Sequence, residues 1–130
     1  SKLANELLTL KNIQCEVSLP NEIPDLAFSP EFRRNVFLIF KEGLYNVIKH
    51  SRATMVTIVI QADRNLLRFD IRDNGVGIHM PTSGHRSNRM GLDNMRKRAE
   101  AVQGEIVIES SEAAGTHIGF TVTELQRHLI

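Results

Sequence analysis

Leu66-Leu67-Arg68-Phe69-Asp70-Ile71-Arg72 leads directly into Asp73-Asn74-Gly75-Val76-Gly77-Ile78. The first part alternates, with Leu67, Phe69 and Ile71 toward a core and Arg68, Asp70 and Arg72 away from it. That is the period of a β-strand. The second part sets a carboxylate at the strand's end and follows it with two glycines one residue apart. Two readings are open. Asn-Gly after a strand is a common hairpin turn. It is also a good place to hold a flat polar ligand: the Asp accepts a hydrogen bond from the ligand's edge, and the glycines let the backbone come close.

The chain on either side supplies the context. Met55 to Ala62 alternates, with Val56, Ile58 and Ile60 inward, and Asp63-Arg64-Asn65 turns it into the Leu66 strand as a hairpin. Upstream, Ser29-Pro30-Glu31 combines a preferred N-cap, a proline at the first helical position and an acid at the positive end of the dipole. The helix it opens should run to about His50, with Phe32, Val36, Phe37, Phe40, Leu44, Val47 and Ile48 as its apolar face. Ile13 to Leu19 reads as a strand stopped by Pro20, with a loop to Phe28. Downstream, Ile78 to Arg89 has no periodicity and is long enough to be a lid rather than a bare connector. Gly91 is expected to open a helix with Leu92, Met95, Ala99 and Val102 inward, and Gly104 to cap its end. Strands follow at Glu105–Ser110 and from Gly115-Thr116, the last with Ile118, Phe120 and Val122 on one face. Hairpins mixed with single helices predict an α/β (α+β) two-layer sandwich, a mixed β-sheet covered by helices.

Composition narrows the function classes. The 130 residues fit one domain, and 42% hydrophobic with 24% charged residues is ordinary for a soluble globular protein. A net charge of +1 gives no broad pull toward nucleic acid or an anionic membrane. The single Cys15 excludes an internal disulfide, and with no Cys/His cluster a structural zinc is not expected. No apolar run reaches the length of a membrane span, and there is no signal peptide. Leu3, Leu7, Leu8 and Leu10 begin the chain already at helical spacing, so residues 1–12 are expected to be the tail of a preceding helix.

Four places carry side chains suited to chemistry. Glu42, Asn46, Lys49 and His50 share one side of the first long helix. They are either its wet face or a functional stripe. Asn is a costly choice for a solvated helix interior, and its amide oxygen is a hard neutral ligand suited to Mg²⁺. Lys49 and His50 could pair with phosphate, and Glu42 could polarise a water or a nucleophile. Asp73 would accept from the exocyclic amino group of adenine and repel the carbonyl that guanine carries there. Gly91-Leu92 is either an ordinary helix start or a helix N-terminus that favours phosphate. Gly115-Thr116 is either a turn glycine with a β-favouring Thr or a hydroxyl beside the base.

Taken in order, Glu42-x-x-x-Asn46-x-x-Lys49-His50, Asp73-x-Gly75-x-Gly77, a lid ending in Gly91-Leu92, and Gly115-Thr116 resemble the N-box and glycine boxes of the ATP-binding domain of sensor histidine kinases. That domain has the Bergerat fold shared with gyrase, Hsp90 and MutL. The Lys-His ending and the short lid look like the subfamily of nitrate, lipid-fluidity and cell-envelope-stress sensors. The resemblance implies an ATP-binding kinase domain over residues 13–124, with 125–130 as a C-terminal tail. It implies Asp73 on the adenine amino group, Asn46 on Mg²⁺, and Glu42 as acid/base or water-positioning residue. Lys49 and His50 would lie near the phosphates, Gly75, Gly77, Gly91 and Leu92 around the lid, and Thr116 beside the base. The reaction implied is transfer of the ATP γ-phosphoryl group to a histidine on a separate dimerisation domain, with a response regulator downstream. The implied parent is a homodimeric, membrane-bound sensor with this domain in the cytoplasm. The lid departs from fuller Gly-x-Gly patterns, with one Gly84 in its middle, and no histidine here sits in a phosphoacceptor context. Lys49 stands where the ATPases of the superfamily tend to carry Asp. The alternatives are another ATPase or serine kinase of the same fold, or a non-catalytic nucleotide-sensing module.

Overall fold

The computed structural model describes residues 14–20, 26–50, 54–75, 86–111 and 115–130. Its elements are β1 (Gln14–Ser18), α1 (Pro30–His50), β2 (Met55–Ala62), β3 (Leu66–Asp73), α2 (Arg86–Ala101), β4 (Glu105–Ser111) and β5 (Gly115–Thr123), closed by a 3₁₀ turn at Leu125–His128. The sheet order is β1-β2-β3-β5-β4. β1 pairs with β2 in parallel, and the other three pairings are antiparallel, so the sheet is mixed as expected.

The helices form the second layer. Phe32, Ile39, Leu44 and Val47 of α1, Leu92, Met95 and Ala99 of α2, and Val102 just beyond its end are buried against Val56, Ile58, Phe69, Ile71, Ile118, Phe120 and Val122 of the sheet. Excluding these side chains from water is the main driving force for the sandwich. Two contacts set the direction of α1. The Phe40 ring meets Phe69 edge-on at 5.5 Å. One turn later, a Cβ on Gly43 would sit 3.3 Å from Ile71 Cδ1 and 3.4 Å from Ile118 Cδ1, so a glycine lets the helix lie close to β3 and β5. α1 therefore advances along β3 in the strand's own direction. The next step carries Asn46, Asp73 and Thr116 to the same end of the sandwich.

Four expectations change. Phe37 is 51% exposed and Ile39 takes the core position, because α1 rotates to put Phe32, Ile39 and Leu44 on the sheet. Asp70, on the helix-free side, is nevertheless buried. Arg68 Nε donates to its Oδ2 at 2.9 Å and His117 Nε2 to its Oδ1 at 2.6 Å. Gly119 leaves room for this pair, since a Cβ there would lie 3.1 Å from Asp70 Oδ1. Burial alone would raise the Asp70 carboxyl, but the hydrogen bonds and charges of Arg68 and His117 outweigh it and hold the group below its ordinary range.

Helix α2 begins at Arg86, not at Gly91, which therefore lies inside the helix. Its end is a Schellman turn in which Gly104 N–H donates to Ala99 O at 2.8 Å and Gln103 N–H to Glu100 O at 3.0 Å. The left-handed residue is Gln103, φ 59°, rather than Gly104. Gly104 is required for space instead: a Cβ there would lie 2.7 Å from the Phe120 ring.

The other elements follow their local chemistry. Ser29 Oγ accepts from Phe32 N–H at 3.2 Å and caps α1 as its position suggests. Asp63 Oδ1 accepts from the Asn65 and Leu66 amides, both at 2.8 Å, which shapes the β2–β3 turn. Residues 125–130 are held to the domain: Leu125 is buried, Ser29 N–H donates to His128 O and Ile130 N–H to Ala27 O.

Candidate functional site

Asp73 ends β3 with its side chain on the helix-facing side, in line with Phe69 and Ile71. It is 7% exposed. Its Oδ1 accepts from Gly75 N–H at 2.7 Å, and the amide and hydroxyl of Thr116 also donate to the carboxylate. Oδ2 is buried and has no partner. Burial pushes the carboxyl above its ordinary value, and the bonds from Gly75 and Thr116 only partly offset this. A buried acceptor oxygen without a donor is costly, by about 1–3 kcal/mol, and is rare in folded proteins. Among the described residues, buried side-chain atoms without a partner occur on Asn46, Asp73 and His128. Two of these three belong to the polar positions that the sequence picks out.

Asn46 is 4% exposed, so it is not on the wet face of α1. Its Nδ2 is the unpartnered atom. The two ends of an amide are interchangeable by a flip, so either the NH₂ or the carbonyl oxygen can occupy that position. The oxygen is a suitable hard ligand for Mg²⁺. Thr116, 2% exposed, heads β5 beside Asp73. Glu42 is half-buried one turn before Asn46, in a cleft between the helices that it shares with Lys41, Asn94 and Arg98. Arg98 Nη1 donates to Asn35 Oδ1 at 3.3 Å across the same helix pair.

Asp73 opens into a recess of about 360 Å³ lined by Arg72, Glu109, Ser110, Gly115, Thr116 and His117. Asn46 and Gly75 are not on its wall; the direction of α1 along β3 carries Asn46 toward the Asp73 and Thr116 end of the sandwich, with Glu42 a turn earlier. Leu92 is a core residue, 5% exposed. Gly77 lies outside the described residues, as do the side chains of Lys49 and His50, whose backbone completes α1.

Three further residues build the site. Asn74 Oδ1 accepts from the amides of Thr54 at 3.0 Å and Met55 at 2.9 Å, and its Nδ2 donates to Thr54 Oγ1 at 2.9 Å. It clamps the start of β2 to the residue after Asp73. An Asn directly after a strand is a signal for such backbone capping. Gly115 has φ +78°, and a Cβ on it would fall 2.2 Å from Asp73 O, so only glycine fits against the carboxylate's own backbone. Ser110 Oγ lies 3.3 Å from Thr116 Oγ1. Its place on the inward side of β4, after Ile106 and Ile108, is the signal that the sequence carries for it.

Comparison with known proteins agrees with the family expected from the sequence. The family described as histidine kinase-, DNA gyrase B- and HSP90-like ATPase matches residues 32–126. The sensor histidine kinase LiaS of Bacillus subtilis is 34% identical over 97 residues, covering 75% of this chain and 26% of that protein. The nitrate/nitrite sensor protein NarX of Escherichia coli is 30% identical over 105 residues, covering 81% of this chain and 17% of that protein. The chain thus spans about a sixth to a quarter of the length of these relatives. The histidine kinase domain of the Erythrobacter litoralis EL346 blue-light activated histidine kinase superposes with a TM-score of 0.74 at 17% identity, covering 97% of this chain and 59% of that one. That likeness extends the agreement to the fold. This chain belongs to the histidine kinase-, DNA gyrase B- and HSP90-like ATPase family, on the branch whose relatives are sensor histidine kinases.

Proposed function

We propose that this chain binds ATP with Mg²⁺ and, in the protein it belongs to, transfers the γ-phosphoryl group to a histidine on a separate dimerisation domain. The observation that carries this is the buried Asp73 carboxylate, held from behind by Gly75 and Thr116 with Oδ2 left for a donor. The exocyclic amino group of adenine is such a donor; the 6-carbonyl of guanine is not.

The roles divide by position. Asp73 and Thr116 orient the base, and Gly75 and Gly77 let the backbone approach it. Asn46 holds Mg²⁺, which when bound neutralises phosphate charge and aligns the phosphates. Glu42, a turn earlier on α1, orients or deprotonates the attacking group. Lys49 and His50 belong to the end of α1, and their role in this reading is to stabilise charge on the phosphates. The Gly91-Leu92 segment belongs to the frame of the lid through its place in α2, not through a helix N-terminus. Phosphoryl transfer asks the protein mainly for positioning and charge stabilisation, and this arrangement is suited to both.

The partners in this reading are the protein's own dimerisation domain, which residues 1–12 would join, and a response regulator. The parent would be a homodimeric membrane-bound sensor with this domain on its cytoplasmic side. Among the described residues no helix is long and apolar enough to cross a membrane. The test mixes the domain, ATP and Mg²⁺ with a separately made dimerisation helix pair from such a kinase. Phosphohistidine should form on the helices and not on this chain alone. ATP binding without any transfer to a series of such helices would leave a nucleotide-sensing module.

A further inference from the structure

The inward side of β4 runs Ile106, Ile108, Ser110, so a hydroxyl stands where the pattern calls for an apolar residue. In the β4–β5 register Ser110 is directly opposite Thr116, and their hydroxyl oxygens are 3.3 Å apart. A hydroxyl has one proton and two lone pairs. Thr116 already gives its proton to the Asp73 carboxylate. With the Thr116 proton on Asp73, a hydrogen bond between the two hydroxyls is one that Ser110 donates. The result is a one-way chain, Ser110 to Thr116 to Asp73, along the wall of the recess that all three line.

We propose that Ser110 is a positioning residue for base selection: by donating to Thr116 Oγ1 it keeps the Thr116 proton on Asp73, so that the carboxylate faces the ligand purely as an acceptor. The chemistry selected is a purine with an exocyclic amino group at the six position. This rests on the reading of Asp73 as the adenine contact. Without the Ser110 proton, the Thr116 hydroxyl can also donate to a 6-oxo group on a bound base. The carboxylate also loses a donor that favours its acceptor form. Both changes favour a 6-oxo purine relative to adenine.

The experiment is calorimetric titration of the whole domain with ATP and, separately, with inosine triphosphate, both with Mg²⁺. The variants are Ser110→Ala and Ser110→Thr, with thermal unfolding to check the fold. Ser110→Ala should weaken ATP binding by about 3–10-fold, the size of one hydrogen bond, and narrow the ATP-over-inosine-triphosphate preference by a similar factor. Ser110→Thr keeps the hydroxyl and should restore both. If Ser110→Ala does not fold, Ser110→Cys, with nearly the same size and a weak donor, should show the same narrowing. An unchanged preference, or a loss equal for the two nucleotides, overturns the proposal and leaves Ser110 a packing residue. A wild-type domain that binds neither nucleotide overturns the ATP reading itself, and this inference with it.

Discussion

Replacing Asp73 with Asn separates what the site costs the fold from what it does for the ligand. The amide keeps an oxygen that can accept from Gly75 and Thr116, as Oδ1 does now. Its NH₂ then occupies the position of the unpartnered Oδ2. On the binding side, a hydrogen bond from adenine to a charged acceptor is lost, about 1.5–3 kcal/mol. A buried donor is also left facing another donor, about 1–3 kcal/mol more. The sum of roughly 2.5–6 kcal/mol is about 10²- to 10⁴-fold in affinity. On the stability side the sign is opposite. The Asp73 carboxyl is raised in the folded state. Its favourable contribution is therefore complete below the unfolded pKa and is lost as pH rises through the folded one. At neutral pH the ionised group burdens the fold, and the uncharged amide removes that burden. Calorimetry with ATP and Mg²⁺, paired with thermal unfolding at pH 7, reads both effects. Binding should fall by two orders of magnitude or more while the unfolding temperature stays equal or rises. ATP affinity within a few-fold of wild type refutes the base contact, and a clear drop in unfolding temperature refutes the burial argument.

The other expectations follow from neighbouring geometry. Asn46→Ala should weaken Mg²⁺-dependent nucleotide binding by about tenfold or more, with little loss of stability because the amide it removes is partly unpartnered; titrations with Mg²⁺ and with a chelator check this, and an unchanged Mg²⁺ dependence makes Asn46 structural. Gly115→Ala places a Cβ 2.2 Å from Asp73 O at a left-handed φ, so the variant should lose both nucleotide binding and stability, seen in calorimetry and unfolding. In urea unfolding, Gly104→Ala should cost about 1–3 kcal/mol by crowding the Phe120 ring, whereas Gln103→Gly should gain about 1 kcal/mol by relieving the positive φ. Asp70→Asn should destabilise the domain by about 1–3 kcal/mol at neutral pH. The Asp70 carboxyl is lowered in the folded state, so its contribution is present above the unfolded pKa and lost as pH falls through the folded one. The gap between variant and wild type should close in acid.

Much of this was readable in the sequence, and the exceptions share a physical cause. Period-two alternation placed β2 and β3 closely because one face of each is buried, and the Ser-Pro-Glu start of α1 acts through local bonds. What alternation does not carry is depth. Arg68 and Asp70 look alike as outward residues, yet a cross-strand His117 and the bare Gly119 bury the acid. Gly91 marks no boundary, because the Arg86 to Met90 segment is helical despite its polar composition. Gly104 meets a spatial need rather than a conformational one, set by the Phe120 ring on β5. The site divides the same way. Asp73 and Asn46 stood out as residue types in costly places. Asn74 and Ser110 act through partners, Thr54 and Thr116, that only the sheet register brings to them.

Base selection by Asp73 requires an amino-bearing purine to bind far better than a 6-oxo purine. Titrating the wild-type domain with ATP and with GTP, in the same buffer with Mg²⁺, tests this most directly. Saturable one-to-one binding of ATP, with GTP weaker by at least about two orders of magnitude, is the result expected from an acceptor carboxylate meeting a donor in one base and an acceptor in the other. Equal affinity for the two nucleotides, or no binding of ATP, would contradict it.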